Sequence, residues 1–460
     1  MFGDKGSMKG TRNLNMTQGN PTRLLIYFAI PMLIGNLFQQ LYSLTDSVIV
    51  GQFLGSDKFA AVGTTGPVTF LFFSICNGIS SGAGIVTAQY FGAGQFERTK
   101  RAIANAAYIM LAASFVMGTV AFFAAPLVLS LMQVPDNLMN DATTYMRMSC
   151  IGVPLVAVYN YSSSMLRSLG DSKTPLYFLI FSTFLNIALD LLFVCVFHMD
   201  VFGAALATII AQIISGAGCL LYAIRHNPYF HLTREDMQPD KVIIRQSVKL
   251  GLPLALQWSL ISISSTALQT FVNSNGETAM AAFTAINRIE QLVHMPYGSI
   301  SAALATYAGQ NYGAHDMKRV KEGFRHGMMI STVFTVILML AYQLLNEPIM
   351  RIFVQEEDVI RMGAGALRLT SWFYIFLSII YMSRGILNGV GDAMFALING
   401  VVEVICRIAL PMVIVAMFPE IGTDAIWWTA AVTWTISAAF CMLRYVTWRK
   451  KADVANKSIT

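Results

Sequence analysis

The sequence predicts an all-α polytopic membrane protein: twelve transmembrane helices in two six-helix lobes related by a pseudo-twofold axis along the membrane normal. Three observations carry that reading. The 460 residues are 55% hydrophobic and only 12% charged, with a mean hydropathy of +0.57, whereas soluble domains usually carry about 25% charged residues. Twelve apolar stretches are each long enough to cross a bilayer, which takes about 20 residues. The two halves of the chain repeat one another at a fixed spacing.

The chain opens with a polar tail, 1–23, holding Lys5, Lys9, Arg12 and Arg23. The apolar run after it is too long for a signal peptide. The first six spans are expected at 24–53, 59–90, 101–125, 142–166, 175–197 and 201–224, giving an N-lobe over 24–225. A basic cytoplasmic linker, 226–250, contains HNPYFHLTREDMQPDKVIIRQ. Six further spans, at 251–273, 280–308, 323–345, 363–388, 395–417 and 425–447, give a C-lobe over 251–447, and a short tail covers 448–460. Pro31 and Pro253 stand at near-equivalent places in spans one and seven, where each removes a backbone hydrogen bond and should kink its helix.

Basic residues fall on alternate connections, and short cytoplasmic loops hold the excess of Lys and Arg. One side collects the N-terminal group, then Arg98, Lys100 and Arg101, Arg167 and Lys173, then Arg225 and the linker's Arg234, Lys241, Arg245 and Lys249. The same side takes Lys318, Arg319, Lys321, Arg325, Arg384 and the C-terminal Arg444, Arg449, Lys450, Lys451 and Lys457. The other side has Lys58, Arg351, Arg361 and Arg368 among acids such as Asp136, Asp141, Glu356, Glu357 and Asp358. A multi-pass protein of the plasma (inner) membrane with both termini cytoplasmic is expected. The net charge of +6, placed this way, argues for a membrane and against nucleic acid.

The repeat is explicit. Gly55 in LGSDKFAAV matches Gly276 in NGETAMAAF, AQYFGAGQFERTK matches GQNYGAHDMKRVK, and Gly170-Asp171 matches Gly391-Asp392. The differences 276 minus 55, 313 minus 92 and 391 minus 170 are each 221. A gapless register across four helices and two loops marks a duplication. Six spans per repeat bring the second copy in from the same side as the first, which sets the symmetry axis along the membrane normal.

Four acids sit well inside spans: Asp46, Asp190, Glu290 and Glu403. Intramembrane acids face a protein interior and mark a pathway by default. Glu403 has Arg407 at i+4, so a structural ion pair is expected there. Glu290 and Arg288, two apart, lie on different faces. Asp46 and Asp190 have no basic partner on their own helices. By the helix rise, Asp190 and Thr208 lie about 10 Å and Asp46 about 13 Å from the same outer surface. Asn186 shares a helix face with Asp190. Asp46, Asn186, Asp190 and Thr208 thus reach one level from three helices, a set able to hold protons or to coordinate a small hard cation through oxygen. The competing expectation is a structural cluster neutralised by Arg147. Tyr42, Tyr159, Tyr161, Gln257, Trp258, Phe283, Glu290 and Met295 are candidate cavity-lining residues for amphiphilic solutes, as Met-rich surfaces are. His294 reads as a hydrogen-bonded packing residue, and Gly78 and Gly82 as a close helix contact.

Nothing in the sequence suggests an enzyme. Cys76, Cys150, Cys195, Cys219, Cys406 and Cys441 are scattered, with no CxxC pair, so neither a disulfide framework nor a zinc site is expected. There is no HExxH and no Ser nucleophile elbow, and Gly92 and Gly94 follow a membrane helix rather than a strand. No metal and no organic cofactor are expected.

The stretches IPMLIGNLFQQLYSLTDSVIVGQFLG, AQYFGAGQFERTKRA, LRSLGDSKTP and NIALDLLF resemble the multidrug and toxic compound extrusion (MATE) family over essentially the whole chain. That resemblance implies a cation-coupled antiporter with V-shaped six-helix lobes, expelling organic compounds, cationic or amphiphilic, by rocking of the lobes. Its DinF-like branch carries an Asp in span one, an Asn and Asp four apart in span five and a Thr in span six, matched by Asp46, Asn186, Asp190 and Thr208. The NorM-like branch uses an acid in span seven, and 251–273 has none. The coupling ion is a proton or Na⁺. A monomer among membrane lipids is expected. A flippase for lipid-linked precursors is the alternative in the same superfamily, though an Arg-rich cavity and extra spans are not seen.

Overall fold

The computed structural model describes residues 13–457, so Lys5, Lys9 and Arg12 of the N-terminal tail and the last three residues lie outside it. The first repeat folds as α1 (Pro21–Leu54), α2 (Ser56–Gly92), α3 (Phe96–Leu131), α4 (Asp136–Ser168), α5 (Lys173–Asp190) and α6 (Asp200–His226). The second folds as α7 (Lys241–Asn273), α8 (Glu277–Gly313), α9 (Met317–Arg351), α10 (Glu357–Ser371), α11 (Tyr374–Gly389), α12 (Ala393–Met417) and α13 (Ala425–Lys457). The α10 and α11 rods bend by 54° and together form the tenth span. Each expected span falls within one helix or, for 363–388, within this bent pair; 175–197 runs one residue past a π-helical extension of α5. Among the described residues, eight helices, or nine with the bent pair, are long and apolar enough to span by length and composition alone. Polar residues distributed along α4, α7 and α8 put them below that threshold, yet their lengths of 33, 33 and 37 residues match their neighbours.

Helix boundaries repeat at the same offset. Gly55 caps α2 at φ 89° and ψ 173°, and Gly276 caps α8 at φ 91° and ψ 172°. Gly170 and Gly391 take φ of 90° and 94°. Where the first repeat has Gly94 at φ 68°, the second has His315 at φ 59°. Gly170 is doubly constrained, because a Cβ there would also lie 2.2 Å from the Leu14 carbonyl oxygen. Beside it, Asp171 caps α5, accepting from the Thr174 backbone at 3.0 Å and its hydroxyl at 2.6 Å.

Two compact units emerge. The first contains the segment up to Gln18 and Ile34–Gly251; the second contains Gly19–Leu33 and the chain from Leu252 onward. Thus α1 and α7 each change units, next to Pro31 and Pro253 respectively. Within the first unit, α2 and the start of α7 meet backbone to backbone: a Cβ on Gly82 would lie 2.3 Å from the Gly251 nitrogen. In the second unit, Thr22 of α1 bonds His326 at 2.7 Å and Arg319 donates to the Gly19 carbonyl at 3.1 Å. All six cysteines are free, four of them buried.

The connection after α6 is docked on α3. Lys100 pairs with buried Asp236 at 2.7 Å, Arg101 with Glu235 at 2.8 Å, and the Tyr108 hydroxyl donates to the Met237 carbonyl at 2.6 Å. Asn105 accepts from the Asp240 backbone at 2.8 Å. Burial pushes the Asp236 carboxyl up, but the hydrogen bond from Lys100 and those from Thr233 outweigh it and hold the group at about 2.

Candidate functional site

The first unit gathers its acids as the helix geometry requires. Asp190 ends the regular part of α5, and the chain continues as a π-helical segment, Leu191–Val196, whose wider turn reorganises the backbone beside the carboxylate. Asn186, one turn earlier, neighbours Asp190, and both are fully buried. Asp46 of α1 is close enough to Asp190 for direct charge interaction. Tyr42, one turn before Asp46, lies beside Thr208 of α6 and also faces both carboxylates. Tyr145 of α4 lies close enough to interact with the charge of both.

These groups satisfy one another only loosely: Asn186 approaches Asp190 and Tyr42 approaches Thr208. At ordinary hydrogen-bond geometry, both side-chain polar atoms of Asn186, both carboxylate oxygens of Asp190, Oδ1 of Asp46 and the Tyr42 hydroxyl are buried without a partner. Buried polar atoms are ordinarily paired, and each orphan calls for an explanation. Arg147 does not supply one. Its guanidinium sits over the Phe122 ring at 5.2 Å, and among the described residues it makes no ion pair. Two carboxylates with an amide, a hydroxyl and two phenols thus form an oxygen-rich nest lacking a positive charge. Such a donor set fits a proton or a small hard cation. Among the described residues no group of three or more His, Cys, Asp or Glu side chains is assembled for a metal.

The second unit is arranged differently. The sequence reading paired Glu403 with Arg407, and the structure corrects this: Glu403 accepts from Arg384 of α11 at 2.5 Å and from Ser437 of α13 at 2.9 Å. Asn399 completes the group, bonding Ser437 at 2.9 Å. A partner across the helix interface wins because it lets three helices share one buried charge pair. Arg407 instead interacts with Glu290 and His294, and His294 bonds the Tyr381 hydroxyl at 2.9 Å.

The aromatic candidates divide. Tyr159 and Tyr161 are corrected from cavity lining to packing, since both are buried with their hydroxyls donating to the Pro175 and Ile103 carbonyls at 3.1 and 3.0 Å. Phe283 is likewise buried, stacked on Trp427 at 6.0 Å. Gln257 is buried against Gly400. Trp258 is exposed, while Met295 and Glu290 are half-buried. Tyr42 belongs with the carboxylates. Tyr145 was not singled out from sequence, because a lone Tyr in a span carries no signal until Asp46 and Asp190 are placed beside it.

The profile of one protein family, MatE, matches residues 31–192 and 253–413, the same half-and-half division as the repeat. The chain belongs to the MatE family. As a MatE protein it is a multi-pass membrane transporter and not an enzyme, a secondary active one. Among its relatives are two from Bacillus subtilis (strain 168). Probable multidrug resistance protein YoeA is 30% identical over 77% of this chain and 78% of its own length. Probable multidrug resistance protein YpnP is 29% identical over 85% of this chain and 87% of its own length. A crystal structure of MATE in the bent conformation superposes with a TM-score of 0.89 at 22% identity, covering 98% of this chain and all of that one. It supports the twelve-helix, two-lobe fold.

Proposed function

We propose that this MatE protein is a multidrug exporter of the plasma membrane, of the DinF-like branch, driven by antiport of a proton or Na⁺ at Asp46, Asn186, Asp190 and Thr208. The observation that carries the proposal is the pair of neighbouring carboxylates buried in the first unit with no counter-ion and with unpaired oxygens. Charge of that kind inside a membrane protein is costly to keep. Binding a cation offsets the cost, and it does so only in the state that exposes the nest to the ion's side. A ligand that prefers one conformation shifts the population toward it. Tyr42 and Tyr145 add to the reading by holding phenol oxygens toward the same point.

In this scheme the N-lobe (24–225) and C-lobe (251–447) rock about the bilayer midplane, with both termini cytoplasmic and the protein acting as a monomer. The multidrug names of the relatives support organic compounds as cargo. The test is transport in proteoliposomes holding purified protein. An imposed proton or Na⁺ gradient should move an organic cation such as ethidium against its own gradient, and collapsing both ion gradients should stop it. Uphill movement with neither gradient, or a strict need for ATP, would end the antiport reading.

A further inference from the structure

The second unit holds a cavity of about 360 Å³ near the Glu277 end of α8, lined by Met280, Thr284, Arg288, Phe353, Val354 and two alanines. Its volume lies in the range of small-ligand sites. Arg288 is its only charged wall. It stands eleven residues into α8, about 16 Å along the helix axis. Among the described residues Arg288 makes no ion pair and no hydrogen bond, and no acid lines the cavity with it. Glu290 lies on another face of α8 and interacts with Arg407. Glu357 is held by Arg351 at 2.7 Å. Glu356 and Asp358, exposed at the start of α10, are not part of the cavity wall. The Thr284 hydroxyl already donates to the Met280 carbonyl at 2.8 Å. What remains is a cation above apolar walls.

An exposed cation this far along a spanning helix needs a partner or a functional reason. The exposed side of α8 that carries it is mixed, with Thr284, Arg288 and Gln291 set beside Met280 and Leu292. A planar guanidinium above Phe353, Val354 and Met280 matches a carboxylate, sulfonate or phosphate joined to a compact apolar body. We propose that this cavity binds the anionic group of a water-borne amphiphile, so that the protein handles anionic or zwitterionic solutes. The site deepens the exporter reading but is defined by binding alone.

The experiment uses the full chain in zwitterionic-lipid nanodiscs and a matched pair of probes, naphthalene-2-sulfonate and 2-naphthyltrimethylammonium, titrated calorimetrically. The wild type should bind the sulfonate at least about tenfold more tightly than in Arg288→Met, the loss expected for one charge-assisted contact. Arg288→Lys should retain part of the preference, and binding of the ammonium probe should not fall in either variant. Both variants should melt as the wild type does, since no bond is removed. Sulfonate affinity unchanged by Arg288→Met, or absent in the wild type, overturns the assignment. With surface repulsion of the probe screened by high salt in both lipids, loss of sulfonate binding on replacing the lipid with phosphatidylglycerol would make a headgroup the occupant and equally overturn a water-borne ligand. Ethidium antiport is scored separately, so failure here leaves the exporter reading standing, and failure there leaves this one.

Discussion

Asn186 and Asp190 were legible as a pair from spacing alone, since i and i+4 share a helix face. Sequence could not say that none of their four polar side-chain atoms finds a partner at ordinary hydrogen-bond geometry. That fact turns two polar residues into a site, and it predicts the effect of substitution. Asp46→Asn and Asp190→Asn remove charge but keep shape, so each should express and melt normally while gradient-driven efflux falls to background. A well-expressed variant exporting at the wild-type rate would sink the assignment. Glu403 teaches the reverse lesson. The sequence-local partner Arg407 was the natural choice, but tertiary packing brought Arg384 across from α11. Glu403→Gln should therefore lower stability by about 3–5 kcal/mol, because Arg384 is left buried without its counter-charge. Arg384→Met with Glu403→Leu should recover much of that loss in the same thermal-melt assay.

At the scale of the element, span positions were readable because about 20 apolar residues admit few other fates, whereas the interhelical contacts depended on side chains meeting from distant segments. The duplicated turns give the sharpest test. Gly170→Ala should destabilise strongly, since its φ of 90° is unsuited to a side chain and the new Cβ would press on the Leu14 carbonyl. His315 occupies the place of Gly94 at a φ of 59°. His315→Gly should be neutral or stabilising by up to about 1 kcal/mol, the left-handed penalty relieved; a loss of stability on thermal melting would count against that account. The docked linker predicts a pH effect. Asp236 is held below its ordinary value, so its contribution is complete above about pH 4 and is lost as the pH falls through about 2. Asp236→Asn should remove that contribution at neutral pH and make the linker a preferred site of limited proteolysis.

For the whole molecule, the 221-residue offset established the duplication, and the matched backbone angles of Gly55 with Gly276 and Gly170 with Gly391 repeat it in three dimensions. The alternating basic loops predict both termini inside, so a phosphatase fused after Thr460 should be inactive and a cytoplasmic reporter active; the opposite pattern would reverse the orientation. The division of α1 and α7 between units was not legible, because hydropathy marks where a helix crosses the membrane and says nothing of which neighbours it packs on.

Because α1 and α7 each begin in one unit and finish in the other, neither half of the duplicated gene encodes a self-sufficient body. The exchange of leading turns can be measured in a split chain. Fragments 1–226 and 227–460 should each be degraded when expressed alone, yet co-purify when expressed together, each lending the other its opening turns; a monodisperse fragment standing by itself would contradict that interdependence.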